Sequence, residues 1–168
     1  LGFLLGPRIN AGGRIGEASL GLRLLLAEDP AEANRIAARL DALNAERQAM
    51  EEAALAEAEA MALPALSADV APPVIQVAGA GWHPGVVGLV AARLKERHRR
   101  PAVAIALGPD GRGTGSGRSI PGVDLGAAIR AAVEEGLLLK GGGHAMAAGV
   151  TVAADRLSAL EAFLAGRL

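Results

Sequence analysis

The feature that most constrains this chain is a long stretch with neither glycine nor proline. Residues 31–63 contain none of either, in a sequence that holds 23 Gly and 9 Pro. Just ahead of it, Asp29-Pro30-Ala31-Glu32 puts an acid at the N-cap, proline at the first helical position and glutamate at N3, which suits a helix start. Ala, Glu, Arg and Leu then dominate, and all are good helix formers. The pattern predicts one helix from Pro30 to about Ala62, ended by Pro64 and on the order of 50 Å long. Its apolar stripe runs Ile36, Leu40, Leu43, Met50 and Ala54, with Arg47 interrupting, and after Leu55 it is mostly alanine. So thin a stripe predicts a connector rather than a core element, and the unsustained repeat disfavours a coiled-coil dimer.

The flanks read differently. Residues 16–28 predict a short amphipathic helix with Leu20, Leu24 and Ala27 at helical spacing. Ser67 to Pro73 reads as a linker. Beyond it come a strand at Val74–Ala78, a helix over Val86–Arg97 and a strand at Ala102–Leu107 closed by a Gly-Pro-Asp-Gly turn at 108–111. Asp124 is placed to cap a helix reaching about Glu135. Ala147–Val152 follows as a strand, and Asp155 would cap a last helix to about Ala165. Alternating strands and helices indicate an α/β lobe with a largely covered sheet. Three segments are expected: 1–28, the connector and linker 29–69, and a small α/β domain at 70–168.

Composition narrows the function. The net charge of −1 conceals +1 over residues 1–28, −6 over 29–69 and +4 over 70–168, an acidic spacer between two basic ends. The absence of Cys excludes disulfides, thiolate zinc sites and a cysteine nucleophile, and it is compatible with a cytoplasmic location. No long apolar run is free of charge, so no membrane span is expected. The start, Leu1-Gly2-Phe3-Leu4-Leu5-Gly6-Pro7, lacks an initiator Met and a basic leader, and it reads as the interior of a longer protein.

Glycine concentrates where backbone must approach something closely. Gly6-Pro7-Arg8-Ile9-Asn10-Ala11-Gly12-Gly13-Arg14 suggests a chain reversal carrying two Arg and an Asn. Gly113-Thr114-Gly115-Ser116-Gly117-Arg118-Ser119 mixes glycine with hydroxyls and an Arg, and Lys140-Gly141-Gly142-Gly143-His144 sets three glycines before a His. Exposed backbone N–H groups with arginine forks suit phosphate. Neither the Walker pattern nor the dinucleotide fingerprint is present. His83, in Gly81-Trp82-His83-Pro84-Gly85, lies between a strand and a helix, where it would either cap the helix or meet a ligand. His98, among charged neighbours, reads as a solvated helix end. No set of Asp and His has the spacing that metal-assisted phosphodiester cleavage requires.

Taken together, the three clusters and Gly81-Trp82-His83-Pro84-Gly85-Val86-Val87-Gly88 resemble RecJ-type members of the DHH phosphoesterase superfamily over nearly the whole chain. Gly141-Gly142-Gly143-His144 is similar to the signature of the DHH-associated domain, and Gly115–Ser119 to its substrate-facing strand. Gly6–Arg14 is similar to the segment near the end of the catalytic DHH domain in the exonuclease branch. The resemblance implies a C-terminal remnant of that domain at 1–28, a connector helix and linker at 29–69, and a DHH-associated, substrate-binding α/β domain at 70–168.

It further implies a metal-dependent 5′ to 3′ exonuclease acting on single-stranded DNA in recombination and repair. Mn2+ or Mg2+ would be held by ligands upstream of Leu1, leaving this portion inactive alone and without metal. His144 with the Gly142 and Gly143 amides would touch a phosphate near the scissile bond, with His144 assisting catalysis. Arg118, with Ser116 or Ser119, would hold the strand; Arg8, Asn10 and Arg14 would line the cleft from the other lobe; and His83 would stand among the phosphate contacts. Trp82 is the one aromatic placed for base stacking. Two alternatives remain open: a phosphodiesterase acting on short oligonucleotides or cyclic dinucleotides, and a non-catalytic nucleic-acid-binding module. Ile9, Leu22 and Leu26 are expected to lack packing partners, which would favour self-association.

Overall fold

The computed structural model describes residues 2–168, and the chain divides into two compact units, Leu1–Glu52 and Ala53–Leu168. The division falls inside a helix that contributes to both.

The first unit holds α1 (Leu5–Ile15), α2 (Leu20–Leu26) and the first part of α3 (Pro30–Leu66). The Gly6–Arg14 segment, expected to reverse the chain, lies within α1. Its glycines serve helix packing. A Cβ on Gly12 would sit 2.7 Å from the Glu17 carbonyl oxygen and 3.3 Å from Leu40, and one on Gly21 would sit 2.8 Å from Ile9 Cγ2. Close approach there outweighs the roughly 1 kcal/mol that glycine costs inside a helix. Ala11, Leu20, Ile36, Leu40 and Leu43 form the core. Ile9, expected to lack a partner, packs on Gly21, whereas Leu22 and Leu26 are 61% and 69% exposed.

Asp29 caps α3 as predicted, accepting hydrogen bonds from the N–H groups of Ala31 (3.0 Å) and Glu32 (3.2 Å). The Glu32 carboxylate turns to Arg23 at 3.2 Å. Arg47 does not interrupt the buried stripe. It is 7% exposed, pairs with Glu51 and donates to Asn44 Oδ1 at 3.1 Å, so its charge is matched where it is buried.

In the second unit the alanine stretch of α3 packs as well as connects: Ala54, Ala58 and Ala62 are all buried. Small side chains give a helix a close-packing face without a large hydrophobic signal. Glu57 accepts a hydrogen bond from Trp82 Nε1 at 2.8 Å, and Glu59 pairs with Arg97 at 3.0 Å and His98 at 2.8 Å. His98, expected to be solvated, is thus half-buried and paired. The helix also runs past Pro64 to Leu66, so the proline sits in its last turn.

The rest of this unit is a five-stranded sheet in the order β1-β2-β3-β5-β4, built from β1 (Ile75–Ala80), β2 (Ala102–Leu107), β3 (Arg112–Arg118), β4 (Lys140–His144) and β5 (Ala147–Ala153). β1 and β2 are parallel, joined through α4 (Pro84–His98), and the other pairings are antiparallel. α5 (Leu125–Glu134) and α6 (Leu157–Arg167) complete the α/β unit. Asp124 caps α5, accepting from the Ala127 N–H at 2.9 Å. Asp155 makes no such cap, because a 3-10 turn (Ala154–Arg156) leads into α6.

Both glycine-rich segments of this unit are strands, β3 and β4. On β3 the glycines face inward. A Cβ on Gly115 would lie 2.7 Å from both Ile105 Cγ1 and Val150 Cγ2, and one on Gly117 would lie 2.6 Å from Leu125 Cδ2. Those partners belong to the core of Val103, Ile105, Leu125, Ile129, Val150, Val152 and Leu160. The glycines of β3 are therefore packing residues, not an amide cradle.

Gly115→Ala should lower stability by about 2 kcal/mol, the cost of an overpacked core. Gly149→Ala should change it by less than about 0.5 kcal/mol, as surface substitutions usually do, because a Cβ there meets nothing within 4 Å. Urea unfolding followed by circular dichroism measures both, and equal losses would contradict the inward-facing assignment. Arg47→Ala should cost about 3 kcal/mol by the same measurement, since it breaks a largely buried ion pair with Glu51 and the bond to Asn44.

Candidate nucleic-acid interface

Side chains alternate across a strand, so inward glycines on β3 force its other residues onto the opposite face. Register makes that face explicit. Arg118 and His144 are both paired with Ala147 of β5, and Ser116 stands across from Gly149, itself paired with Gly142. Neighbouring strands lie about 4.8 Å apart, which puts the Arg118 and His144 Cα atoms on the order of 10 Å from one another. The same face continues to Thr114, Thr151 and Lys140, the next set of register partners. A Cβ on Gly142 or Gly149 would meet nothing within 4 Å, so the middle of the face is bare backbone.

Local contacts fix the polar groups. Arg118 Nη1 donates to Ser116 Oγ at 2.7 Å and to the Gly117 carbonyl at 2.8 Å. Gly88 of α4 lies against this pair: a Cβ there would sit 3.0 Å from Arg118 Nη2 and 3.3 Å from Ser116 Oγ. Gly88 thus gives the guanidinium its space; it closes the Gly81–Gly88 motif, but the sequence does not reveal this role.

His144 ends β4. Its Nδ1 accepts the Met146 N–H at 3.3 Å, which puts the proton of the neutral ring on Nε2 as a donor. The turn beyond it is held twice, by Leu125 N–H to the Ala145 carbonyl (3.1 Å) and Ser119 N–H to the Met146 carbonyl (3.0 Å). Gly126 of α5 closes the site from below, where a Cβ would lie 2.8 Å from the His144 carbonyl carbon. Gly143 has φ +154°, and a Cβ on it would strike the Ala147 carbonyl oxygen at 2.2 Å, so only glycine fits.

Other predicted site residues fall elsewhere. The Ser119 side chain is 1% exposed and its hydroxyl donates to the Val123 carbonyl at 2.8 Å, so it shapes the loop before α5. His83 is the N-cap of α4, with Nδ1 accepting the Gly85 N–H at 3.0 Å. Trp82 cannot offer a ring to a base: it is 7% exposed, lies over Gly79 and is bonded to Glu57. Arg8, Asn10 and Arg14 belong to the first unit, where Arg8 pairs with Asp41 at 2.6 Å and donates to the Leu4 carbonyl. Asn10 and Arg14 are exposed on α1. Among the described residues no group of three or more His, Cys, Asp or Glu is placed to hold a metal ion, so the residues present do not fit a metal centre. No helix among them is long and apolar enough to cross a membrane.

Known proteins are similar to this chain in sequence and fold. The DHHA1 domain family matches residues 71–167. The single-stranded-DNA-specific exonuclease RecJ of Dickeya dadantii is 45% identical over 161 residues, and that of Escherichia coli 42% over 164. These alignments cover 93% and 96% of this chain but 28% of each relative, so the chain spans under a third of their length. The crystal structure of RecJ in complex with Mg2+ from Thermus thermophilus superposes with a TM-score of 0.82 at 40% identity, covering 98% of this chain and 24% of that one. The chain belongs to the DHHA1 domain family, within its RecJ-type branch.

Proposed function

We propose that this chain is the strand-holding portion of a single-strand-specific DNA exonuclease, and that the open face of β3, β5 and β4 grips the phosphate backbone. The observation that carries the proposal is the register: Arg118 and His144 flank Ala147 on one face, with Ser116 beside them and a glycine floor at Gly149 and Gly142. A guanidinium, a hydroxyl and an imidazole Nε2–H are all donors, and an anionic oxygen is the acceptor that such a set selects. Bare backbone in the middle lets a sugar-phosphate chain approach the sheet closely.

In this proposal Arg118 holds a phosphate as a charged fork, oriented by Ser116 and given room by Gly88. His144 donates to a phosphoryl oxygen near the scissile bond, stabilising charge that grows in the transition state. Divalent ions, when bound by the whole enzyme, would supply polarisation of the phosphoryl group. Ligands for Mn2+ or Mg2+ would lie outside this segment; that the whole enzyme uses such ions is supported by the RecJ structures from Thermus thermophilus in complex with each. Similarity to the curated exonucleases is what favours a long single strand over a cyclic dinucleotide. On this reading the whole enzyme acts in recombination and repair in the cytoplasm, and residues 1–28 form the end of its catalytic domain.

Two measurements test this reading. Arg118→Ala should weaken binding of oligothymidylate and flatten its log–log salt slope by about 0.7, the value of one phosphate contact on a single strand. An unchanged slope rejects the contact. In the full-length parent enzyme, His144→Ala should lower turnover more than about tenfold with little change in strand affinity, because its bond strengthens in the transition state. Turnover equal to the parent's removes His144 from the reaction.

A further inference from the structure

One row of the open face has no role in the phosphate contacts assigned to Arg118 and His144. Thr114 of β3, Thr151 of β5 and Lys140 of β4 are direct register partners, on the same face as Arg118 and His144 but four residues along the strands. We propose that this row is a second phosphate subsite, so that the face holds an extended single strand along β3, β5 and β4 rather than one isolated phosphate. The inference rests on the phosphate role of the Arg118–His144 row.

Spacing supports it. Four strand residues span about 13 Å, and a nucleotide repeat has twice the backbone bonds of an amino-acid residue, so this interval matches roughly two nucleotides. The intermediate row is Ser116, Gly149 and Gly142, where a Cβ on either glycine meets nothing within 4 Å. A strand lying between the outer rows would therefore pass over open backbone with one hydroxyl beside it. Both outer rows supply donors only, or hydroxyls able to donate: Arg118 and His144 at one end, Lys140, Thr151 and Thr114 at the other. Hydroxyls and lysine are common phosphate contacts in nucleic-acid complexes.

Charge points the same way. β3, β4 and β5 contain no acidic residue and carry Arg112, Arg118, Lys140 and His144. The next register row on this face holds Arg112 opposite Ala153, and acids return only beyond it, at Asp110 in the turn before β3 and Asp155 in the 3-10 turn after β5. Lys140 and Thr114 are exposed and Thr151 is half-buried, so substitutions there remove donors with little disturbance of the core.

A lysine on a sheet edge also guards against edge-to-edge pairing, and opposed threonines stabilise a strand pair. Neither role depends on the length of a bound strand, and that separates them from the subsite. The test is titration of the 168-residue chain at low salt with a thymidine dinucleotide, which has a single phosphodiester, and with a thymidine hexanucleotide, followed by amide shifts in 15N spectra. Lys140→Ala and Thr151→Val should each weaken hexanucleotide binding about three- to tenfold while leaving the dinucleotide within about twofold, and Lys140→Ala should flatten the hexanucleotide salt slope by about 0.7. Arg118→Ala should weaken both ligands. If Lys140→Ala and Thr151→Val leave the hexanucleotide unaffected while Arg118→Ala weakens it, the second subsite is rejected and the first row stands. Equal losses on both ligands from Lys140→Ala also reject it. If Arg118→Ala changes neither ligand, or the unaltered chain binds neither, the phosphate role of the face falls and takes the second subsite with it.

Discussion

The second unit depends on how closely β3 can lie against the side chains around it. Ile105 of β2, Val150 of β5 and Leu125 of α5 converge on the strand's inner face, and they fit only because Gly113, Gly115 and Gly117 present no side chain there. Each of those glycines is buried. Interiors are packed to crystal-like density, so a single extra methyl in that layer must displace a neighbour. A period of two then does the rest. Once alternate positions are committed to the core, Thr114, Ser116 and Arg118 have one direction left, and they emerge together on the opposite face. The constraint that closes the core is also the one that collects the donors.

A second consequence concerns rigidity at His144. The residue ends a five-residue edge strand, KGGGH, that contains three glycines, and such a strand is weakly ordered by its own propensities. Order comes from outside it. Leu125 N–H and Ser119 N–H hold the carbonyls of the turn after His144, Arg130 Nη1 donates to the Gly143 carbonyl at 3.2 Å, and the imidazole itself accepts from Met146 N–H. The ring is thereby oriented with Nε2 directed away from its own chain. A donor held in advance loses little freedom when it meets a ligand, which is why such preorganisation favours charge stabilisation. Ser119 and Gly126 contribute here as supports without touching an anion.

The sequence displayed some of this plainly and concealed the rest for identifiable reasons. The start of α3 was legible because Asp29-Pro30 is a local signal whose chemistry does not depend on tertiary context, and its bonds to Ala31 and Glu32 are formed. Strand β2 was legible because a fully buried strand is a continuous apolar run, Ala102–Leu107. β3 was visible as a strand only through the family resemblance, and β4 was obscured, because glycine carries no hydrophobic signal and a strand with glycine on its buried face inverts the usual apolar-in pattern. The packing of α3 through Ala54, Ala58 and Ala62 was hidden by the same arithmetic, since alanine scores weakly while allowing the closest contact. The donor face itself required register. Ser116 and Arg118 stand two apart and can be seen to share a face, but their alignment with His144, through Ala147, is a property of strand pairing across the order β3-β5-β4. Gly88, which makes room for Arg118, comes from a different element, and although it ends the Gly81–Gly88 motif its contact with Arg118 depends on how α4 packs on β3.

The aromatic content decides what kind of recognition such a face can perform. The chain has one Trp, two Phe and no Tyr. In the second unit Trp82 is buried over Gly79, and Phe163 packs against the core with Arg167 over its ring at 5.7 Å. Neither is available as a platform on which a base could stack, and base stacking is the usual source of affinity that does not depend on salt. What remains on β3, β4 and β5 is a set of cations and hydroxyls around exposed backbone, groups that commonly contact phosphate. Binding of this kind is driven by counterion release, is blind to sequence and declines steeply with ionic strength. On the proposed reading, an enzyme that removes nucleotides one after another would gain from that indifference: each register of the strand would present the same charges to the same donors, so advancing by one nucleotide would cost no specific contact. A glycine floor serves the same end, since a smooth backbone surface offers no pocket in which a particular base would be retained.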